Sequence, residues 1–360
     1  MTTTDEKYWD GYDGLQYVKH KILESYLAGW FPILSSWQGK VLYIDCNAGR
    51  GKHETGQYGS PIRALNQLLH HKNLDGILSN TKIIFHFFEI NQYNCKQLDV
   101  ELRNLGPLPE NIFTFLHCSD YVSELKNILN NVTGQEKSLA PSFAFIDPYG
   151  YALSMDLLNR ILTFPSTELL ITFMLRYVDL AMTHEDQSDN MNRLFGTSKW
   201  QEIKNIDNYE ERVDNIVNLF SEQLNAKYVT KIYMRSKTNI IKYVLFHATN
   251  HQKGRELIKE VLWKVCPDGT FSASEKTNPN QLILFVPEPD LNPLKRKLLE
   301  NFSQNSVKMA EIYTWLSDTL YLPRHIHQVI SKMRKGGEIE ATEYMGRFGF
   351  KKNPRIKFLI

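Results

Sequence analysis

Apolar positions along this chain change their period in a regular way, and the changes mark out alternating helices and strands. In Leu15–Phe31, the residues Val18, Ile22, Leu23, Tyr26, Leu27 and Trp30 recur at helical spacing. Lys40–Asp45 then reads as a buried strand, and Ser60–His71 as a helix with Pro61 in its first turn, where a missing N–H costs nothing. Lys82–Ile90 is a nearly unbroken apolar run, as expected of a strand covered on both faces. Asn91 stands where a side chain caps a helix running to about Leu105. Ile112–His117 reads as a strand, Ser119–Asn131 as a helix, Phe143–Ile146 as a strand, Ser154–Leu162 as a helix and Glu168–Met174 as a fifth strand. Five β-then-α units with short connections predict an α/β protein with a Rossmann-like, doubly wound, mostly parallel sheet. Ligands in this class bind at the carboxyl ends of the strands.

The pattern then loosens. Residues 176–208 are polar and irregular, Thr183–Asn192 most of all, and read as an insertion or lid. A helix at Tyr209–Ala226 leads to a hairpin, Tyr228–Arg235 and Ile240–Ala248 across Ser236–Asn239, and Gly254–Val265 closes the domain. Five prolines between Pro267 and Pro293 suggest a linker with one short strand, Gln281–Val286. Beyond it Ser306 is placed to cap a helix with Met309, Ile312, Tyr313, Leu316 and Leu320 on one face. Pro323 opens a second helix with Ile326, Val329, Ile330 and Met333 inward, and with Arg324, His325, His327, Gln328, Ser331, Lys332, Arg334 and Lys335 outward. Glu338–Ala341 and Arg347–Phe350 are the candidate strands of a wing. Helix, turn, basic helix and small hairpin make a winged helix-turn-helix. The expected organisation is residues 1–266 as the Rossmann-like domain with its insertion at about 176–208, 267–293 as linker, and 294–360 as the winged helix.

Charge sharpens this division. The net charge is +2, but residues 291–360 hold 13 Lys/Arg against 6 Asp/Glu, so +7 there leaves −5 on the remainder. A basic module on a mildly acidic domain points to nucleic acid, DNA or RNA alike, with a merely basic, soluble tail as the plain alternative. Arg324, His327, Gln328, Lys332, Arg334 and Lys335 are the residues expected to meet phosphates and base edges. A winged helix used for protein contacts or dimerisation is the competing use. Cys46, Cys95, Cys118 and Cys266 form no C-x-x-C pair, so no thiolate metal site is expected, and the thiols are expected free. No apolar run reaches 18 residues, and Met1–Glu6 lacks the basic start and apolar core of a signal peptide, so the expectation is a cytoplasmic protein without membrane contact.

The chemistry-bearing positions fall at strand ends. The first strand delivers Asp45-x-Asn47-Ala48-Gly49-x-Gly51, whose glycines let the backbone turn and approach a ligand closely. No G-K-[S/T] follows, the third glycine of a dinucleotide fingerprint is absent, and the helix starts late, so a ligand without phosphate is favoured. The second strand ends at Glu89, suited to accept bonds from ribose hydroxyls. The third leads to Ser119-Asp120, where the acid can reach an adenine amino group or simply cap the next helix. The fourth leads to Asp147-Pro148-Tyr149-Gly150, either a base-binding constellation or a plain turn.

Taken together, these segments resemble the class I S-adenosylmethionine-dependent methyltransferases. More narrowly, the chain resembles the bacterial and phage three-Cys-motif partner family. The similarity lies in Lys19-His20 with Leu23 and Tyr26, Tyr43 through Gly51, Tyr58–Pro61, Phe145–Gly150, Ala248–His251 with Gly254, and Val261–Val265. Cys46-Asn47 and Arg50 depart from the pattern, standing where a small residue, Phe and Pro are usual. The resemblance implies S-adenosyl-L-methionine held by Asp45, Asn47, Ala48, Gly49, Gly51, Glu89, Ser119 and Asp120, with Lys19 and His20 near the same loop and no metal. Asp147-Pro148-Tyr149 is similar to the D-P-P-Y motif of amino-methylating enzymes, which points to methyl transfer to a nitrogen of a nucleic-acid base. Two other readings stand beside it. One is a non-catalytic partner or regulator built on a methyltransferase fold. The other is an enzyme modifying a peptide or small molecule together with a neighbouring enzyme.

Overall fold

A computed structural model describes residues 9, 11–34, 39–134, 138–267, 269–274 and 289–359. The chain divides into two compact units, Met1–Val261 with Phe271–Leu282, and Leu262–Thr270 with Ile283–Ile360.

The first unit is built on an eight-stranded sheet. Helix α1 (Gly14–Leu34) leads to β1 (Gly39–Asp45), α2 (Ser60–Leu69), the short α3 (Leu74–Leu78) and β2 (Thr81–Phe88). Then follow α4 (Gln92–Asn104), β3 (Ile112–His117), α5 (Tyr121–Gly134), β4 (Ser142–Ile146), α6 (Met155–Leu162) and β5 (Thr167–Phe173). The strand order is β3-β2-β1-β4-β5-β7-β6-β8, where β6 is Tyr228–Arg235, β7 Ile241–Thr249 and β8 Ser272–Ser274. Strands β1 to β5 run parallel, and β7 lies antiparallel to both β5 and β6. This is the Rossmann-like, class I methyltransferase-like arrangement. The order reverses at β1 and β4, so the carboxyl ends of these two strands flank the crevice where such a sheet takes its ligand.

The helices form where their caps and apolar stripes direct. Asn91 accepts from the Tyr93 and Asn94 N–H groups to start α4, and the Ser154 hydroxyl accepts from Leu157 N–H to start α6. The central strands are covered on both faces, and Phe143, Phe145, Leu170 and Ile171 are buried.

Residues 176–208 depart from the expected irregular lid. They fold into short helices, α7 (Leu175–Ala181), α8 (Ser188–Phe195) and α9 (Trp200–Ile203), before α10 (Tyr209–Gln223). Val178, Met191, Leu194, Phe195, Trp200 and Ile203 bury themselves in the main core. Each helix supplies only two or three apolar residues, too few to show a period against the polar residues around them.

Helix α11 (Gln252–Val265) follows β7, and its approach is anchored at the amino edge of the sheet, away from the crevice. Glu168, at the start of β5, accepts hydrogen bonds from Tyr26 Oη and, at 3.1 Å, from Trp30 Nε1, and lies 3.3 Å from His247 Nε2. A Cβ at Gly254 would collide with Glu168 Oε2, which explains the glycine there. His251, an open alternative in the sequence, accepts from Lys253 N–H through Nδ1 and so serves the turn into α11.

The second unit holds α12 (Asn292–Phe302), β9 (Ser306–Lys308), α13 (Met309–Ser317), α14 (Pro323–Lys335), β10 (Ile339–Thr342) and β11 (Arg355–Phe358). Its three strands order as β10-β11-β9, all antiparallel. The winged helix is therefore present, with three corrections. Ser306 does not cap a helix: it opens β9, and Lys308 caps α13, its N–H donating to Glu311 Oε1 at 3.0 Å. The wing pairs β10 with Arg355–Phe358, so Arg347–Phe350 lies in the connecting loop instead. His325 points inward, 4.1 Å from the Trp263 ring, and accepts from Leu322 N–H. The expected strand Gln281–Val286 and much of the expected linker fall outside the described residues.

Burial pushes the Glu168 carboxyl up, but hydrogen bonds from His247, Tyr26 and Thr249 prevail and hold it below the ordinary carboxylate value. Its stabilisation is therefore in place at neutral pH and is lost as pH falls through and below the normal carboxylate range. Glu168→Leu should cost about 3 kcal/mol at pH 7, read from urea unfolding, because it leaves the surrounding donors unpaired. The difference from wild type should shrink as pH falls below about 4.

Candidate functional site

At the end of β1 the chain turns through Asp45–Gly51 under three constraints. Cys46 N–H donates to Phe145 O and Ala48 N–H to Phe88 O, both at 2.9 Å, which ties the loop to β4 and β2. Gly49 and Gly51 take φ of +66° and +78°, and the Trp9 ring packs so close to Gly49 that a Cβ would strike it. Gly49 N–H donates to Glu89 Oε2 at 2.8 Å, while Glu89 Oε1 accepts from Asn91 N–H at 2.7 Å. One carboxylate therefore locks the glycine loop to the β2 end and to the start of α4.

Asp45 is fully buried. Burial lifts its pKa to about 7, with the hydroxyl of Ser60 opposing and the Asp147 carboxylate adding to the rise. Asp45 Oδ2 accepts from Tyr43 Oη at 3.3 Å. Its Oδ1, and Oδ1 of Asn47, are buried without a hydrogen-bond partner among the described residues. Two buried acceptors without donors are costly unless a ligand supplies the donors. An ammonium group beside Asp45 and Asn47 meets that need, while the space a Cβ would fill at Gly49 and Gly51 is taken by Trp9 and Leu98.

The neighbouring strand ends complete the edge. Asp120 Oδ2 accepts from Ser123 N–H at 3.0 Å and from Ser123 Oγ at 2.8 Å, so this acid caps α5; Ser119 precedes it in the same turn. After β4, Asp147 forms an ion pair with Lys19 of α1. Lys19 is only 4% exposed, and its Nζ lies 5.8 Å from the Tyr243 ring centre. Pro148 is buried, whereas Tyr149 is 59% exposed, its hydroxyl 3.4 Å from that of the exposed Tyr177 after β5. The two tyrosines offer an aromatic surface next to the Asp147 carboxylate.

Lys19 and His20 do not form a solvated helix face; both are buried at this edge. His20 Nδ1 is 2.8 Å from Tyr12 Oη. Burial, then the nearby charges of Lys19 and Arg63, keep the His20 ring well below its ordinary pKa and neutral. Tyr12, Trp9 and Tyr177 went unremarked in the sequence, where an aromatic residue outside a motif carries no signal of its own.

In the sequence Cys95 and Cys118 read as free thiols; they are joined in a disulfide that links the first turn of α4 to the residue before Ser119. Cys46 and Cys266 are buried. The pairing was illegible because 22 residues intervene and only the parallel packing of β2 and β3 brings the two together. Among the described residues no group of three or more His, Cys, Asp or Glu could hold a metal ion, and no helix is long and apolar enough to cross a membrane.

On α14, Arg324, Gln328, Lys332, Arg334 and Lys335 are exposed. His327 is half-buried: its ring stacks 4.0 Å from that of Phe350, and its Nε2 is 2.6 Å from Tyr313 Oη, so it holds the wing loop against the helix. Arg334 lies over the Phe348 ring, 4.3 Å from its centre.

The GMT-like wHTH domain family matches residues 270–343. No curated protein matches. Among solved structures, the chain is similar to Trm1 from Pyrococcus horikoshii in complex with S-adenosyl-L-methionine, at 15% identity and TM-score 0.34, covering 95% of this chain and 91% of that one. It is also similar to an O-methyltransferase from Bacillus cereus in complex with SAH, at 9% identity and TM-score 0.33, covering 69% and 92%. A candidate methyltransferase from Porphyromonas gingivalis W83 shares 12% identity at TM-score 0.28 over 61% of this chain, which spans 40% of that protein's length. At these scores the strand order, not the likeness, carries the fold: a methyltransferase-like domain followed by a winged helix.

The Lys19–Asp147 pair can be weighed by a double-mutant cycle. Lys19→Met and Asp147→Asn should each destabilise the protein, and their coupling should come to about 1–3 kcal/mol in urea unfolding, because Lys19 is buried while Asp147 is partly open to solvent.

Proposed function

We infer that this protein binds S-adenosyl-L-methionine and transfers its methyl group to a nitrogen of a nucleic-acid base. The observation that carries the cofactor is the buried, partnerless pair of acceptors, Asp45 Oδ1 and Asn47 Oδ1, beside a glycine loop tied to Glu89. Asp45 and Asn47 would receive the ammonium group of the ligand. Ala48, Gly49 and Gly51 would lie along its body, Glu89 would take ribose hydroxyls with its remaining lone pairs, and Ser119-Asp120 would border the adenine. The bound cofactor supplies an electrophilic methyl group.

The chain then has to orient an acceptor. Lys19 holds Asp147 Oδ2, which fixes the carboxylate and leaves Oδ1 to accept an N–H of the acceptor. Tyr149, with Tyr177 beside it, provides a face on which a flipped base stacks. Positioning of this kind supplies most of the rate in a displacement that needs little other chemistry. The exposed Arg324, Gln328, Lys332, Arg334 and Lys335 fit phosphates and base edges. The organisation we adopt is 1–266 as catalytic domain and 294–360 as nucleic-acid module, and the family reading remains the three-Cys-motif partner group.

The ion pair favours a second acceptor. An ammonium group against Asp147 would also stabilise an acceptor oxygen as it loses its proton, which suits a hydroxyl. In that case the tyrosine face holds the base beside the reacting sugar.

Calorimetry with S-adenosylmethionine should show binding by wild type and its loss in Asp45→Ala; no binding by wild type would overturn the cofactor reading. An ammonium ligand prefers the ionised carboxylate, so the association constant should climb with pH, by at most about tenfold per unit below about 7, and level off above it. Asp45→Asn should remove that dependence. Labelled-methyl transfer to total nucleic acid and to total protein, followed by nucleoside digestion, separates nitrogen, hydroxyl and peptide acceptors. For the winged helix, Lys332→Ala should weaken binding to duplexes of unrelated sequence alike and lower the salt slope by about 1.

A further inference from the structure

The Cys95–Cys118 disulfide spans the two loops that build one wall of the crevice. Cys95 sits in the first turn of α4, just beyond Glu89 and Asn91, and Cys118 directly precedes Ser119-Asp120. Between them Gln92 Nε2 donates to Cys118 O at 3.0 Å, and Glu89 N–H donates to His117 O at 3.0 Å. The carboxylate that locks the glycine loop and the acid that caps α5 therefore belong to one cross-linked patch. The two residues differ in access: Cys95 is fully buried, whereas Cys118 is an exposed residue. A disulfide with one half at an exposed residue is open to exchange, since attack proceeds from the side that can be reached.

We propose that Cys95–Cys118 is a thiol-exchange site that sets the affinity of the crevice for its nucleoside ligand, tight when oxidised and weaker when reduced. The proposal rests on the reading of that crevice as a cofactor site. The agent is a small thiol or dithiol. Its thiolate attacks Cys118 Sγ, the S–S bond breaks, and Cys95 leaves as a thiolate that takes a proton. A second thiol then releases Cys118–SH, so two electrons and two protons pass to the protein and the reductant becomes a disulfide. Reduction removes the covalent tie and leaves the Cys118–Asp120 turn held to α4 by the Gln92 hydrogen bond, so order at that wall must be restored on binding, which lowers affinity.

The test uses the full chain, oxidised or treated with dithiothreitol, with alkylation and intact mass to establish the thiol state. In the reduced native protein Cys118 should alkylate first, because Cys95, Cys46 and Cys266 are buried. Titration with S-adenosylmethionine should give an affinity about five- to tenfold weaker after reduction, a modest coupling between sites. Reoxidation should restore it, and the Cys95→Ser/Cys118→Ser double variant should bind at the reduced level whether or not reductant is present. Equal affinities in the two thiol states overturn the proposal and leave the cofactor reading standing. Absence of binding in both states overturns the cofactor reading and with it the control of affinity. Amide exchange at residues 89–95 and 118–121 provides a readout without ligand: it should quicken on reduction, and unchanged exchange overturns the proposal by itself.

Discussion

The crevice depends on one carboxylate. Glu89 accepts from Gly49 N–H with one oxygen and from Asn91 N–H with the other, so the left-handed glycine loop, the end of β2 and the start of α4 are held by a single side chain. A buried carboxylate that accepts backbone N–H groups is worth more than a neutral bond, and losing it would leave those donors unpaired. Gly49 makes this bond while in the left-handed region, φ +66°, a conformation that a larger residue adopts with strain.

Around that tie the edge carries an unusual concentration of buried charge. The Asp147 carboxylate lies close enough to raise Asp45, yet the two acids are resolved in opposite ways. Asp147 has an ammonium partner in Lys19. Asp45 has a tyrosine hydroxyl, a nearby serine and a buried lone pair with nothing to receive. One acid is paired, and the other keeps a buried acceptor open. The contrast with the amino edge is instructive. There Glu168 accepts from Tyr26 and Trp30 and lies 3.3 Å from His247, so its network ties α1 to β5 and β7.

Much of this was legible beforehand. Strands β4 and β5 announce themselves because a parallel strand covered on both faces is largely apolar, and Asn91, Asp120 and Ser154 mark the starts of the helices after β2, β3 and β4. Acids at successive strand ends set Asp45, Glu89, Asp120 and Asp147 along one edge of a parallel sheet. The helices within 176–208 were not legible, since a one- or two-turn helix needs only a few apolar contacts. Nor was the wing's second strand: Arg347–Phe350 alternates convincingly, but Arg355–Phe358 wins because Ile356 and Phe358 reach the core of the winged helix. His325 and His327 sit among basic residues and looked outward, yet rings such as Trp263 and Phe350 claimed them.

The sequence by itself determined the fold class, the loop Asp45–Gly51 and the basic character of the last helix, because period, glycine position and charge are local properties. Tertiary structure decided what required two distant segments to meet. Lys19 found Asp147 across 128 positions, and Cys95 found Cys118 across neighbouring parallel strands. Asp120 spent one oxygen on its own helix. Side-chain pairing follows packing geometry, which no local pattern encodes.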